Sequence, residues 1–419
     1  MQMTTSKAHS QKLDAEDTLA KYRSQFYMPP GKHRAEQLYF TGNSLGLQPK
    51  SVQSYLQQEL DDWARLGVEG HFHGKNPWFK YHHFFDKEAR VVGANPQEVV
   101  VMNNLTVNLH LLLVSFYRPT KSRYKIIMEG GAFPSDMYAI ESQVKHHGYA
   151  YDDAVIEMEP REGEHALRTE DIVAKIEEVG DECALVFFSG VQYYTGQYFD
   201  IKSLTAAAHK VGAMAGFDCA HAAGNVKLEL HNWDVDFAAW CTYKYMNSGP
   251  GGVSGVFVNE RHGNNADTPR FAGWWGHAES ERFQMKRGFI PEPGAAGWQM
   301  SNAPVLSMAA HKASLDMFEE VGMDALVSKG RKLNAFLEQV VKDAQTVNDK
   351  LEFEIITPEK RGCQLSMLTN ENGKALFDYL TANDVIADWR EPNVIRLAPV
   401  PMYNSFMDVW EFGELLRAF

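Results

Sequence analysis

From about residue 95 the chain alternates short apolar runs with longer amphipathic ones. The apolar runs cover 98–102, 124–128, 184–189, 213–218, 236–242 and 252–258. Most are apolar at nearly every position, as expected for strands covered on both faces. The stretches 106–117, 135–147, 169–179 and 201–211 carry their apolar residues at helical spacing. Strand and helix in alternation predict an α/β unit with a mainly parallel sheet. The last run is predicted to pair with a neighbouring strand across the Gly-Pro-Gly-Gly turn at 249–252.

The pattern changes beyond residue 304. Long helices are expected over 306–321 and 323–344, then short strands over 351–356, 362–368 and 393–397. This predicts a smaller α+β domain at the C-terminus. At the other end, residues 1 to 40 read as a mobile start, a helix and an arm, followed by an amphipathic helix over 51–66. The organisation expected is an N-terminal arm with part of the small domain over 1–60, a large domain over 61–305 and the small domain over 306–419.

Composition narrows the function. With 419 residues, 44% of them hydrophobic, the chain can bury a large core. Its 41 basic and 54 acidic residues leave a formal charge of −13, which argues against nucleic acid or anionic membrane as a partner. Cys183, Cys219, Cys241 and Cys363 form no C-x-x-C pair, so no zinc site or disulfide framework is expected. The polar N-terminus lacks an apolar signal segment, and no apolar run approaches the ~18 residues of a membrane span. A cytoplasmic protein is expected. The pairs His71/His73 and His82/His83 have no carboxylate or cysteine at ligand spacing, so no metal is expected.

Four features at predicted strand ends carry chemistry, because ligand sites of open α/β sheets cluster there. Asp218 closes an apolar run, with His221 three residues on. A buried carboxylate there needs a positive partner such as a protonated pyridine nitrogen, although a helix-capping Asp is common. Lys244 follows another apolar run, between Tyr243 and Tyr245 and before a glycine-rich turn. Desolvation would make its amine a nucleophile, although a lone Lys more often snorkels to the surface. The junction Asn103–Asn108 could offer backbone N–H groups and the Thr106 hydroxyl to a phosphate, or be an ordinary helix start. In Ala132–Asp136, Phe133 could stack on a flat ring and Asp136 could accept from it, while Pro134 opens a helix. Each signal is weak alone. Together they are a phosphate cradle, a ring stacker, a carboxylate for a pyridine nitrogen and a lysine for an aldehyde, the set that pyridoxal phosphate needs.

Several longer segments point the same way. They include G-N-S-L-G at 42–46, M-N-N-L-T-V-N-L-H at 102–110, A-F-P-S-D at 132–136 and F-S-G-V-Q-Y-Y-T-G-Q at 188–197. G-F-D-C-A-H-A-A-G-N-V at 216–226, C-T-Y-K-Y-M-N-S-G-P-G-G at 241–252, G-W-W-G-H at 273–277, Q-M-S-N-A-P at 299–304 and I-R-L-A-P-V-P-M-Y-N-S-F at 395–406 follow in order. In these the chain resembles pyridoxal-phosphate enzymes of the aspartate-aminotransferase fold type, and within them the kynureninase family, from about Tyr39 to the C-terminus.

The resemblance implies a large domain on a mainly parallel seven-stranded sheet flanked by helices. It implies hydrolysis of kynurenine or 3-hydroxykynurenine to alanine plus an anthranilate, a step of tryptophan catabolism that feeds NAD synthesis. It also implies a homodimer with shared sites. Lys244 would bind the cofactor covalently and Asp218 would pair with its ring nitrogen, with His221 close to the ring. Phe133, Pro134, Ser135 and Asp136 would line the ring, and Leu105, Thr106 and Tyr243 would meet the phosphate, Tyr243 also serving as an acid. Trp274 and Asn302 would complete the site across the interface. Arg396 would hold the substrate carboxylate, with Ser44, His71 and Asn302 at the aryl end. His71, Ser301 and Asn302 resemble the form that favours the 3-hydroxylated substrate. The alternatives are an aminotransferase, a desulfurase using a mobile cysteine (Cys363 the loose candidate), or a binding protein that has lost catalysis.

Overall fold

The computed structural model describes residues 4–419. Seven strands build the central sheet: β1 (Val99–Met102), β2 (Lys125–Glu129), β3 (Val155–Met158), β4 (Cys183–Ser189), β5 (Met214–Asp218), β6 (Phe237–Cys241) and β7 (Ser254–Val258). Their order across the sheet is β1-β7-β6-β5-β4-β2-β3. β7 runs antiparallel to β6 and β1, and every other neighbouring pair is parallel. The expected mainly parallel α/β sheet is therefore present, and the Gly-Pro-Gly-Gly turn does return the chain into an antiparallel partner.

The strand pleat sends alternate side chains to two cores. Phe187 and Phe237 enter one, against helices α1 (Leu105–Phe116) and α2 (Pro134–His146). Phe188, Phe217 and Trp240 enter the other, against α3 (Thr169–Val179) and α4 (Ile201–Lys210). Helix α5 (Val305–Val321) adds Met308, Leu315 and Phe318 to this second core. Such two-sided cover explains the unbroken apolar runs. Gly216 in β5 and Gly255 in β7 lie flat under the rings of Phe237 and Trp240, where a Cβ would collide.

A four-stranded antiparallel sheet follows: β8 (Phe353–Ile355), β9 (Leu365–Thr369), β10 (Asp388–Arg390) and β11 (Val394–Leu397), in the order β10-β11-β9-β8. Helices α6 (Met323–Val347) and α7 (Phe406–Ala418) cover its core. Leu38 and Phe40, far away in sequence, insert into the same core. The Leu38–Tyr39 segment pairs in parallel with Val385–Ile386.

Two departures from expectation have local causes. β3 was not foreseen because Ile156 and Glu157 of its Val-Ile-Glu-Met run are not buried, as suits an edge strand. β10 was missed because none of its three residues is buried. A helix was expected within residues 1–40, and Lys7–Ala15 forms one, with Ser6 accepting the His9 N–H as cap. The first three residues lie outside the described ones. No helix among the described residues is long and apolar enough to cross a membrane.

Phe237 is fully buried and stacks on Phe116 with ring centroids 4.8 Å apart. Phe237→Ala should therefore cost about 3–5 kcal/mol through lost burial and the cavity left. A thermal melt checks this, and an unchanged midpoint would contradict the packing described.

Candidate active site

A cavity of about 230 Å³ opens at the carboxyl ends of the central strands. Glu129 ends β2, Ser189 ends β4 and Asp218 ends β5, while Tyr243 and Lys244 follow β6, and all line it. Leu105, Thr106, Phe133, Ser135, Asp136, Tyr193 and His221 complete the wall. Sequence reading thus placed together residues that the sheet does bring together.

The junction after β1 is built for an anion. Asn103 adopts φ 45°, a left-handed conformation that Asn tolerates better than most residues. Asn108 clamps the turn, donating to the Met102 carbonyl (2.9 Å) and accepting from the Asn103 side chain (2.9 Å). The first intrahelical bond of α1 runs from Asn108 N–H to Asn104 O. The N–H groups of Leu105, Thr106 and Val107 therefore have no intrahelical acceptor, and all three residues line the cavity.

Phe133 forms the opposite wall, with the Lys244 Nζ 5.7 Å from its ring centroid. Pro134 starts α2 and lends its fixed φ to that turn. Gly46 binds the Tyr243 carbonyl through its N–H (2.8 Å) and leaves no room for a Cβ against the Lys244 backbone. The turn that carries Lys244 is thereby pinned to the N-terminal segment.

Three buried carboxyl groups, Glu129, Asp136 and Asp218, line the same cavity as this amine. Asp218 accepts the Ala220 N–H at 2.7 Å, and its charge acts on the neighbouring Asp136 carboxyl. Burial raises the pKa of both, and for Asp136 the Asp218 charge raises it further, while the Lys244 charge pulls both back. The rise is the larger at Asp136, which is the member of the pair held further toward its protonated form. Burial lowers the His221 pKa well below its usual range, with the Lys244 charge next in weight, so its ring is neutral. Burial also raises Tyr243, which stays a phenol.

The cavity leaves polar atoms without partners: Glu129 Oε2, Asp136 Oδ1, Ser189 Oγ and His221 Nδ1 are all buried and unbonded. Such atoms are costly unless something fills the space. The donors and acceptors fit pyridoxal phosphate: an amine for the aldehyde, a carboxylate for the ring nitrogen, and helix N–H groups for the phosphate.

Arg396 lies on β11, fully buried, with Nη1 donating to the Tyr193 carbonyl at 2.5 Å and Nη2 paired with Asp388. Its Nε has no partner. Because Tyr193 lines the cavity, Arg396 stands directly behind its wall. The remaining expected residues do not line this cavity. Ser44 and Asn302 are exposed. His71 and Trp274 belong to an aromatic shelf: His71 meets Phe79 at 4.8 Å, Phe79 stacks on Trp275 at 5.2 Å, and Trp275 meets Trp274 at 5.6 Å. Glu129, Ser189 and Tyr193 were missed by sequence reading. Glu129 ends an apolar run as Asp218 does, and Ser189 lies in the quoted F-S-G segment.

Residues 38–364 match the aminotransferase class-V family and residues 326–416 match the kynureninase C-terminal domain. A kynureninase of Flavobacterium johnsoniae is 56% identical, with 100% of this chain and 99% of that protein aligned. The chain belongs to the kynureninase family. Within that family it is also 48% identical to a kynureninase of Nematostella vectensis, over 97% of this chain and 92% of the relative. Among solved structures, the cystine C–S lyase C-DES, in a mutant with glycine linked to its PLP cofactor, superposes with a TM-score of 0.77 at 14% identity, covering 95% of this chain and 99% of that one. A cysteine desulfurase from Thermococcus onnurineus NA1 gives 0.71 at 18% identity, covering 91% and 94%. These likenesses show the fold alone. The desulfurase alternative fails on the cysteines: all four are buried, and burial pushes the Cys363 thiol up to about 12. A kynureninase-family chain needs no such thiol.

If the unpartnered atoms mark a cofactor site, pyridoxal phosphate should stabilise the cofactor-free protein. At 100 times Kd the gain is about 2.7 kcal/mol, read as a rise in melting temperature. Lys244→Ala should lose most of that rise, and no rise in the unaltered protein would refute the site.

Proposed function

We propose that this chain hydrolyses kynurenine or 3-hydroxykynurenine between Cβ and Cγ, giving alanine and anthranilate or 3-hydroxyanthranilate, with pyridoxal phosphate as cofactor. Whole-chain identity of 56% to a kynureninase supports the reaction. The observation that carries the site assignment is one cavity holding the Lys244 amine, the Asp136–Asp218 carboxyl pair and unbonded polar atoms.

When bound, the cofactor supplies an electron sink for the amino acid's Cα. The chain's own residues do the rest. Lys244 would hold the cofactor through its amine, and Nζ, once free, would take the α-proton of the substrate. Asp218 would hold the ring nitrogen in its protonated form, and Asp136, held toward its own protonated form, would limit the negative charge of the pair. The neutral His221 ring and Phe133, both in the cavity wall, would lie against the flat ring. Leu105 and Thr106 hold the phosphate. Tyr243, a neutral phenol, can give and retake a proton at its hydroxyl beside the phosphate. Arg396 takes the substrate carboxylate, its free Nε being available.

The aromatic shelf completes a neighbouring copy's cavity in this reading. Trp274 is 40% exposed and Phe283 53%, and they meet edge to face at 5.6 Å. Exposed rings carrying expected site residues suit a homodimer in which Trp274, His71 and Asn302 serve the partner's site, with Ser44 at the aryl end. Four free buried thiols suit a reducing cytosol, where we place the enzyme.

Incubation with kynurenine or its 3-hydroxy form should release alanine and the matching anthranilate without consuming a keto acid. Lys244→Ala should abolish turnover. In the same assay Arg396→Ala should lower kcat/KM by roughly 10- to 150-fold, from a lost charge-assisted contact of about 1.5–3 kcal/mol. Binding of the cofactor with no alanine from either substrate would refute the activity. Mixing inactive Lys244→Ala with inactive Asn302→Ala should restore turnover if sites are shared. Persistent inactivity of a mixture that demonstrably exchanges subunits would refute sharing.

A further inference from the structure

We propose that Glu129 is a positioning residue for the ring-nitrogen side of the site, acting through Asp136 and Asp218 to set how tightly a protonated pyridine is held. The inference rests on Asp218 as the partner of that nitrogen. Glu129, Ser189 and Asp218 end three adjacent parallel strands, β2, β4 and β5, with Ser189 level with Asp218 in the register. The Glu129 side chain is 2% exposed and lines the cavity. Its Oε1 accepts the Ser189 N–H at 3.0 Å, and its Oε2 is buried without any partner. A third acid with one oxygen satisfied and one orphaned, beside the Asp136–Asp218 pair, is not explained by packing.

The groups facing this cluster are few. Asp136 comes from the start of α2, Asp218 from β5, Lys244 and Tyr243 from the turn after β6, and His221 from the segment after β5. Tyr243 and His221 are neutral, so Lys244 is the cation on this side. Arg390 and Arg396 lie farther out, acting on His221. Burial pushes Glu129 up to about 7, with the Asp218 charge adding to the rise. Below that pH Glu129 is neutral and adds nothing to the field. Above it an anion appears behind Asp136, keeps the proton on Asp136, and favours a positive ring nitrogen.

The full-length protein freed of cofactor is titrated with pyridoxal phosphate and with its carba analogue, in which CH replaces the ring nitrogen, from pH 6 to 9. Both ligands keep the aldehyde and phosphate, so Lys244 and the α1 amides treat them alike. Glu129→Gln should bind pyridoxal phosphate as the unaltered protein does at pH 6 and roughly three- to tenfold more weakly at pH 8.5. The analogue should show no such difference. Equal weakening toward both ligands, or no weakening at pH 8.5, overturns the role of Glu129. Equal affinity of the unaltered protein for both ligands throughout overturns the Asp218 reading beneath it. Should Glu129→Gln not fold, Glu129→Asp replaces it, expected to weaken pyridoxal phosphate alone. Parity between the two ligands would again overturn the proposal.

Discussion

The arrangement depends on one electrostatic constraint: carboxyl groups at the ends of parallel strands, taken out of water, next to a single amine. Burying an ionised carboxylate without a partner costs several kcal/mol. The chain answers with an Asp136 carboxyl held toward its protonated form, backbone N–H groups donating to Glu129 and Asp218, and the Lys244 charge acting on Asp136 and Asp218. These leave the cluster only partly compensated, as the unbonded Glu129, Asp136, Ser189 and His221 atoms show. On the proposed reading, a flat cationic ring with an aldehyde and a phosphate would remove the deficit. Stability is in this way given up locally so that ligand binding can restore it.

The rest of the fold keeps that cluster in place. The double-sided core fixes the strand ends, and the wedge of Gly46 against the Lys244 backbone fixes the turn beyond β6. The N-terminal segment reaches that position because Leu38 and Phe40 are anchored in the core of the small sheet. Asn43 donates to Gln364 at 3.1 Å, and Gln364 donates to the Tyr193 carbonyl at 2.9 Å, so the same segment also steadies the wall in front of Arg396.

Much of this was legible in the sequence where one residue type and one apolar run sufficed. Asp218 and Lys244 stood out because each interrupts an almost unbroken run, and the sheet class followed from those runs. The helix start at Asn103–Asn108 was visible from its polar residues, although not the clamp by Asn108. Glu129 ends its run just as Asp218 does, but its meaning appears only once the strand order sets β2 beside β4 and β4 beside β5. Asp388 was hidden because β10 is short and half-exposed, and its pairing with Arg396 is a cross-strand contact. Ser44, His71, Trp274 and Asn302 rested on family likeness alone, since a single chain gives them no cavity to face.

Arg396 belongs to the small sheet and Lys244 to the large one, yet both are read as handling one amino-acid substrate. The distance between carboxylate anchor and reactive amine is therefore a property of how the two sheets are mounted, not of either alone. The contact from Arg396 to the Tyr193 carbonyl is the strut between them. On the proposed reading, a substrate longer or shorter by one carbon between its amine and its acid group would meet only one of the two anchors, and discrimination by chain length would lie in the framework rather than in a pocket wall.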